Sequence, residues 1–267
     1  MLKRQKEIIG EARRQATPSR SPITQRRSRR AVLRERLFRD TLARTATNLN
    51  EGNAPRTNNV RLAAKAINGT ILNPGDVFSY NTVVGERTQR AAIRRRTLTR
   101  AARSSTSSAA AYASPPRRFI WPVLRADLEV VERHNHSFTV SYTPLGEDAT
   151  VDYGNLDFRF VNNTAYPIKI LAEQTDGQMI MTIIGTKTSD KTVATRTEVL
   201  ETYKPETVEK QDSSLAAGET QVETSGITGY STRTYKVITE NGKTTEVLAN
   251  KSTYSKRDEI VCVGTGS

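Results

Sequence analysis

Residues 127–267 set the tightest limit on the fold. LEVVERH, SFTVSYTP, FRFVNNT, YPIKILAE and MIMTIIGT alternate or run apolar over strand lengths, and LGED, NNT and TDGQ interrupt them. Further on, TRTYKVITENGKTTEVL predicts a hairpin, because Asn241-Gly242 favours a type I′ turn between alternating strands. A chain built this way is β-dominated, and from about residue 195 it reads as a second, separate β unit. Apolar residues make up only 36% of the sequence. That is low for one large core, and predicts thin β modules or unpacked stretches.

The segments before residue 127 differ. Residues 1–43 are rich in Arg, Ser and Pro and predict a disordered basic arm, within which VLRERLFRDTLA has the spacing of a short helix. NNVRLAAKAINGT predicts a helix through Val60, Ala63 and Ile67, capped at Asn58 or Asn59 and stopped at Gly69. NPGD at 73–76 is a type II turn signal, and VFSYNTVVG reads as extended.

The net charge of +13 invites a nucleic-acid partner. Its distribution argues otherwise. The basic residues concentrate in two islands, 1–43 and 90–126, while the sequence after 127 is acidic on balance. There is no basic face to follow phosphates and no aromatic interleaving. The N-terminus lacks the apolar run of roughly 7–15 residues that a secretory signal needs, and no stretch of about 18 apolar residues exists to span a membrane. A single cysteine, Cys262, excludes an internal disulfide.

RTNNVRLAAKAINGTILNPGDVFSYNTVVGERT, ADLEVVERHNHSFTVSYTPLGEDATV, DFRFVNNTAYPIKI and MTIIGT, in that order, resemble the VanW family of bacterial cell-envelope proteins. The resemblance covers roughly residues 44–188. The tail, 195–265, resembles the G-five domain, with Gly218, Gly226, Gly229, Gly242 and Gly264 as its five glycines. The implied organisation is a basic arm (1–43), an α+β, β-dominated VanW-like domain (44–190) and a small all-β module. The implied location is the cell envelope or the exterior, with any membrane contact made by a segment absent from this sequence.

One family motif is missing. Between ERT at 86–88 and DLE at 127–129, VanW-like proteins carry a Gly-Tyr segment, then Gly-Gly-Gly-Ile-Cys-Gln running into Ser-Ser-Thr-Leu-Tyr. Here the interval holds RAAIRRRTLTRAARSSTSSAAAYASPPRRFIWP, with arginines and no Asp, Glu or Lys. Back-translated and shifted by two nucleotides, Ala109–Ala111 give glycine codons, Tyr112–Ala113 can spell cysteine, and Arg118, Phe119 and Ile120 become Thr, Leu and Tyr. Residues 90–122 therefore read as an out-of-frame segment, expected to be unpacked.

His134 and His136, the two histidines, fall two apart in ERHNHS and would share one face of a strand. They suit an acid–base pair or sheet hydrogen bonding. No third ligand stands at a recognisable spacing, so no metal and no cofactor is implied. Asp148 and Asp157 read as support for the histidines or as solvated loop carboxylates. Cys262, in IVCVGT, reads as a small core residue. Tyr230, Tyr235 and Tyr254 could stack on sugar rings or pack across strands. The resemblance implies a noncatalytic envelope protein that associates with peptidoglycan or another N-acetylglucosamine-containing glycan and is linked to glycopeptide resistance. The alternatives are a thiol-dependent cell-wall enzyme, inactive here because the family cysteine is missing, and a basic nucleic-acid binder.

Overall fold

In a computed structural model of the chain, residues 37–49, 54–86, 116–140, 143–175 and 177–266 are described. The first domain is built on an antiparallel sheet in the order β1-β7-β6-β2, formed by β1 (Asp40–Asn48), β7 (Gln178–Gly185), β6 (Ile168–Thr175) and β2 (Ile71–Leu72). The alternation of IKILAEQT and QMIMTIIG sends Ile168, Ile170, Met179, Met181 and Ile183 to one buried face. Helix α1 (Ala54–Ile67) packs Val60, Ala63, Ala64 and Ile67 into the same core. A second, three-stranded sheet, β3-β5-β4, comprises β3 (Val77–Ser79), β5 (Arg159–Val161) and β4 (Glu129–Glu132). It contributes Phe78 and Phe160, stacked at 4.9 Å between ring centroids.

Several expectations need correcting. The predicted short helix at 32–43 gives way from Asp40 onward to β1, whose Ala43 and Thr45 turn inward while pairing with β7. The first domain thus begins before residue 44, and residues 1–36, the bulk of the predicted arm, lie outside the described residues. Helix α1 starts at Ala54, ahead of Asn58. Pro55 in its first turn has a fixed φ suited to a helix start and lacks only an amide that would have no helical partner there. Gly69, with φ of 90°, does end that stretch. Only VFS of VFSYNTVVG is extended. Ser79 then caps α2 (Tyr80–Val84) by accepting from Thr82 N. Residues 139 and 140 of SFTVSYTP are not in a strand. Just upstream, the carbonyl of Ser137 accepts from Ser255 N of the C-terminal module, so this backbone bonds to the other module instead of a ladder.

The largest correction concerns 90–122. Residues 87–115 lie outside the described residues, but Pro116–Arg125 form helix α3. Phe119 and Ile120 are fully buried, and Phe119 sits 5.0 Å from Phe78 and edge-on to Phe158 at 6.1 Å. For residues 119–122 the unpacked expectation is wrong. The physical reason is composition. Phe119 and Ile120 are large and apolar, and the shifted frame would place Leu and Tyr there, so either reading fills the core. The out-of-frame proposal remains a statement about DNA. Over residues 90–122 the nucleotide sequence should encode Gly-Gly-Gly-Ile-Cys-Gln two bases over, and stops or unrelated residues in that frame would sink it.

The C-terminal module has two three-stranded sheets. One is β12-β11-β8, from β12 (Lys243–Tyr254), β11 (Gly229–Glu240) and β8 (Thr192–Tyr203). The other is β10-β13-β9, from β10 (Thr220–Thr224), β13 (Glu259–Gly266) and β9 (Thr207–Ala216), with β13 and β9 parallel. The predicted hairpin is present: Glu240 pairs with Lys243, and Asn241 and Gly242 have φ of 50° and 73°. At Gly264 a Cβ would lie 1.9 Å from the Ala216 carbonyl oxygen, so only glycine fits there.

Candidate functional site

The two β units meet along a polar seam, and the residues singled out in ERHNHS and LGED lie in it. Asp148 is 1% exposed. Its Oδ1 accepts from Arg133 Nη2 at 2.9 Å and from the Tyr254 hydroxyl at 2.5 Å. Its Oδ2 accepts from the His136 backbone N at 2.7 Å and from the His136 ring Nδ1. Four donors therefore saturate one carboxylate, the full capacity of an ionised Asp. Burial pushes the Asp148 carboxyl up, but the His136 hydrogen bond, the Arg133 charge and the Tyr254 hydroxyl outweigh it, and its pKa falls below the usual range.

The other partners tie this node into both units. Arg133 spends its remaining donors on the Asp148 carbonyl at 2.6 Å and on Ser252 Oγ of β12 at 2.7 Å. The Tyr254 hydroxyl also accepts from Gly146 N at 2.7 Å. Burial and the adjacent Asp148 charge raise the Tyr254 phenol to about 12. Around the node, Thr197 Oγ1 donates to the Leu145 carbonyl at 2.9 Å, and Asn135 Nδ2 donates to the Thr253 carbonyl at 2.7 Å.

His134 does not join His136. Its Nε2 meets Glu132 Oε1 at 3.3 Å, and its side chain is 40% exposed. The expected shared face fails because the segment beyond β4 is not a strand and pairs there through an isolated bridge, His134 to Thr150. Asp157 is no solvated carboxylate. It accepts from Ser79 Oγ at 2.5 Å and Asn81 N at 2.9 Å, fixing the start of α2. The tyrosine candidates also change meaning. Tyr254 is 1% exposed and cannot stack on a sugar. Tyr230 faces it in register and lies on the same seam side. The Tyr235 ring is covered by the Arg196 guanidinium, 4.8 Å from its centroid. Cys262 is buried, with Sγ 3.6 Å from Glu223 Oε2, and burial and that carboxylate push its thiol up. Its burial agrees with the small packed residue expected from its strand.

A second clasp escaped the sequence reading. Helix α3 ends in a Schellman motif, with Leu128 N bonded to Val123 O and Asp127 N to Leu124 O. Asp127 holds the left-handed position at φ 56°, where glycine is the easy choice. Its carboxylate takes Lys191 Nζ at 2.7 Å and Lys236 Nζ of β11 at 2.5 Å. Burial pushes this carboxyl up, but the two lysine hydrogen bonds outweigh it and lower its pKa. Among the described residues no group of three or more His, Cys, Asp or Glu is arranged for a metal ion. No helix among them is long and apolar enough to cross a membrane.

With this two-unit architecture in place, known proteins divide the chain in the same way. The family of VanW like proteins matches residues 55–184, and the G5 domain family matches residues 194–266. The chain carries a VanW-like domain followed by a C-terminal G5 domain. The Uncharacterized protein YoaR of Bacillus subtilis (strain 168) is 35% identical over 142 residues, which is 53% of this chain and 47% of that protein. The chain thus spans about half the length of this relative. Among solved structures, the G5 domain of IgA1 protease is 18% identical, covering 31% of this chain and 100% of that one at a TM-score of 0.22. The G5 domain of HP0197 is 21% identical, covering 28% and 100% at a TM-score of 0.18. The VanW and G5 pairing fits a cell-envelope protein.

Proposed function

We propose that this VanW–G5 protein is a noncatalytic envelope component that associates with peptidoglycan or a related N-acetylglucosamine-containing glycan. One observation carries the noncatalytic part. The buried His136–Asp148 pair is committed to joining two domains, since Asp148 has every acceptor position filled and one of its donors comes from the G5 domain. A thiol mechanism needs a cysteine beside such a pair, and the single cysteine, Cys262, is buried in β13 of the G5 domain. The G5 match supports glycan association, and family resemblance supports a link to glycopeptide resistance.

The thiol-enzyme alternative has one observation in its favour. His136 Nε2 is buried with no hydrogen-bond partner among the described residues, as a base awaiting a thiol would be. In this chain no cysteine is available to fill that role. Full-length protein should sediment with purified peptidoglycan at 0.15 M and at 1 M salt, because sugar hydrogen bonding and stacking resist screening. Attraction by the basic islands does not, as the screening length drops from about 8 Å to about 3 Å. Complete release at 1 M would make the binding charge-driven and end the glycan reading. Cys262→Ser should sediment like the wild type and release no muropeptides beyond background. Thiol-dependent turnover lost in that variant would favour the enzyme.

A further inference from the structure

Tyr254 and Tyr235 are covered, yet the exposed Tyr166 lines an unassigned cavity. This cavity, about 270 Å³, lies where the end of α3, the β5–β6 loop and the connector 186–191 converge, and its lining includes Arg125, Asn163, Tyr166, Lys187, Thr188 and Lys191. Tyr166 is 40% exposed. The volume is just under the roughly 300–1,000 Å³ of drug-sized sites, which suits a single sugar unit.

The charge of the cavity is positive. Arg125, Lys187 and Lys191 line it against Asp127 alone, and that carboxylate is already shared between Lys191 and Lys236. The nearby Asp40 carboxylate accepts from the Lys187 backbone N at 2.7 Å and from Arg39 Nε at 3.0 Å, and the Lys187 charge acts on it at longer range. Lys187 Nζ forms no ion pair within 4 Å among the described residues, and Arg125 rests over the Trp121 ring at 5.7 Å. Asn163 donates through Nδ2 to the Asp127 carbonyl at 3.2 Å, which leaves its Oδ1 to accept from a hydroxyl. Together these offer an aromatic face, an acceptor, hydroxyls and surplus cations.

We propose that this cavity binds a sugar bearing an anionic group, a carboxylate or a phosphate, with the ring against Tyr166 and the anion between Arg125 and Lys187. The Asp127 clasp fixes the wall of the cavity by tying the end of α3 to the connector and to β11. This inference rests on the glycan reading above and assigns it a subsite where the VanW-like domain passes into the C-terminal module.

The test uses the isotopically labelled full chain and three probes: N-acetylglucosamine, its 6-phosphate, and its 3-O-lactyl ether, which carries a carboxylate. At least one anionic probe should shift the amide signals of Tyr166, Thr188 and Lys191 at concentrations where the neutral sugar does not. Which one does so identifies the source of the anion. Lys187→Glu and Tyr166→Ala should each weaken that binding about fivefold, roughly the loss of one accessible contact, with cooperative melting retained. Equal response to the neutral sugar, no response to any probe, or unchanged affinity in both variants would overturn the proposal. Sedimentation separates the two levels. If wild type binds peptidoglycan and the double variant binds it equally, the subsite is wrong and the glycan reading stands. If wild type does not bind at all, both fall.

Discussion

Asp148→Ala should destabilise the protein by about 3–5 kcal/mol, the usual consequence of removing one partner from a buried ion pair. The deleted carboxylate leaves the Arg133 guanidinium, whose side chain is 5% exposed, without its counter-charge. It also strands the Tyr254 hydroxyl and the His136 ring Nδ1, which have donated to that carboxylate. The pair need not be strongly stabilising overall, because taking both charges out of water is costly. The loss arises from the charge left behind. Asp148→Asn keeps the shape and an acceptor but removes the charge, so its loss should be smaller. Urea unfolding of the three proteins provides the check. A loss below about 1 kcal/mol for Asp148→Ala would mean that the seam is held elsewhere, with the Asp127 clasp the next place to look.

Much of the fold could be read from local pattern, because strand alternation and turn chemistry are local properties. β6, β7 and the β11–β12 hairpin follow from period-two alternation and from Asn241-Gly242. What could not be read is which face of a strand another domain covers. Tyr254 alternates like a solvent-facing aromatic, yet it is buried because Gly146 and Asp148 sit on it. Arg133 sits beside the titratable histidines in ERHNHS, and nothing local says that an arginine reaches Ser252 more than a hundred positions away. Asp127 left a faint signal: an Asp directly after a helical stretch, where glycine is the common terminator. The spacing in ERHNHS and the family motifs mark His136 and Asp148 as candidates, and their joint role as a domain junction emerges from the geometry alone.

The seam also predicts how stability changes in alkali. An ordinary tyrosine ionises near 10, whereas Tyr254 in the folded chain ionises at about 12. The raised value means that the fold favours the neutral phenol, which donates to Asp148, over a phenolate that would face that carboxylate across a hydrogen-bond distance. The contribution is fully present below pH 10, where both folded and unfolded chains keep the phenol protonated. It is lost as pH rises from about 10 to about 12, because the unfolded chain releases its proton first. That difference corresponds to a contribution on the order of 3 kcal/mol. Asp148 behaves in the opposite sense. Its lowered pKa adds stability that persists above the ordinary carboxylate range and fades only as pH falls through its depressed value. Tyr254→Phe should begin less stable at neutral pH, by roughly 1–2 kcal/mol for the lost hydrogen bond to a charged group, and then lose less than the wild type between pH 10 and 12. Urea midpoints measured at pH 8, 10, 11 and 12 for both proteins isolate this residue, since lysine titration and other tyrosines contribute to both curves alike. Parallel curves across that window would show that Tyr254 ionises normally and that its bond to Asp148 does not lock the two domains together.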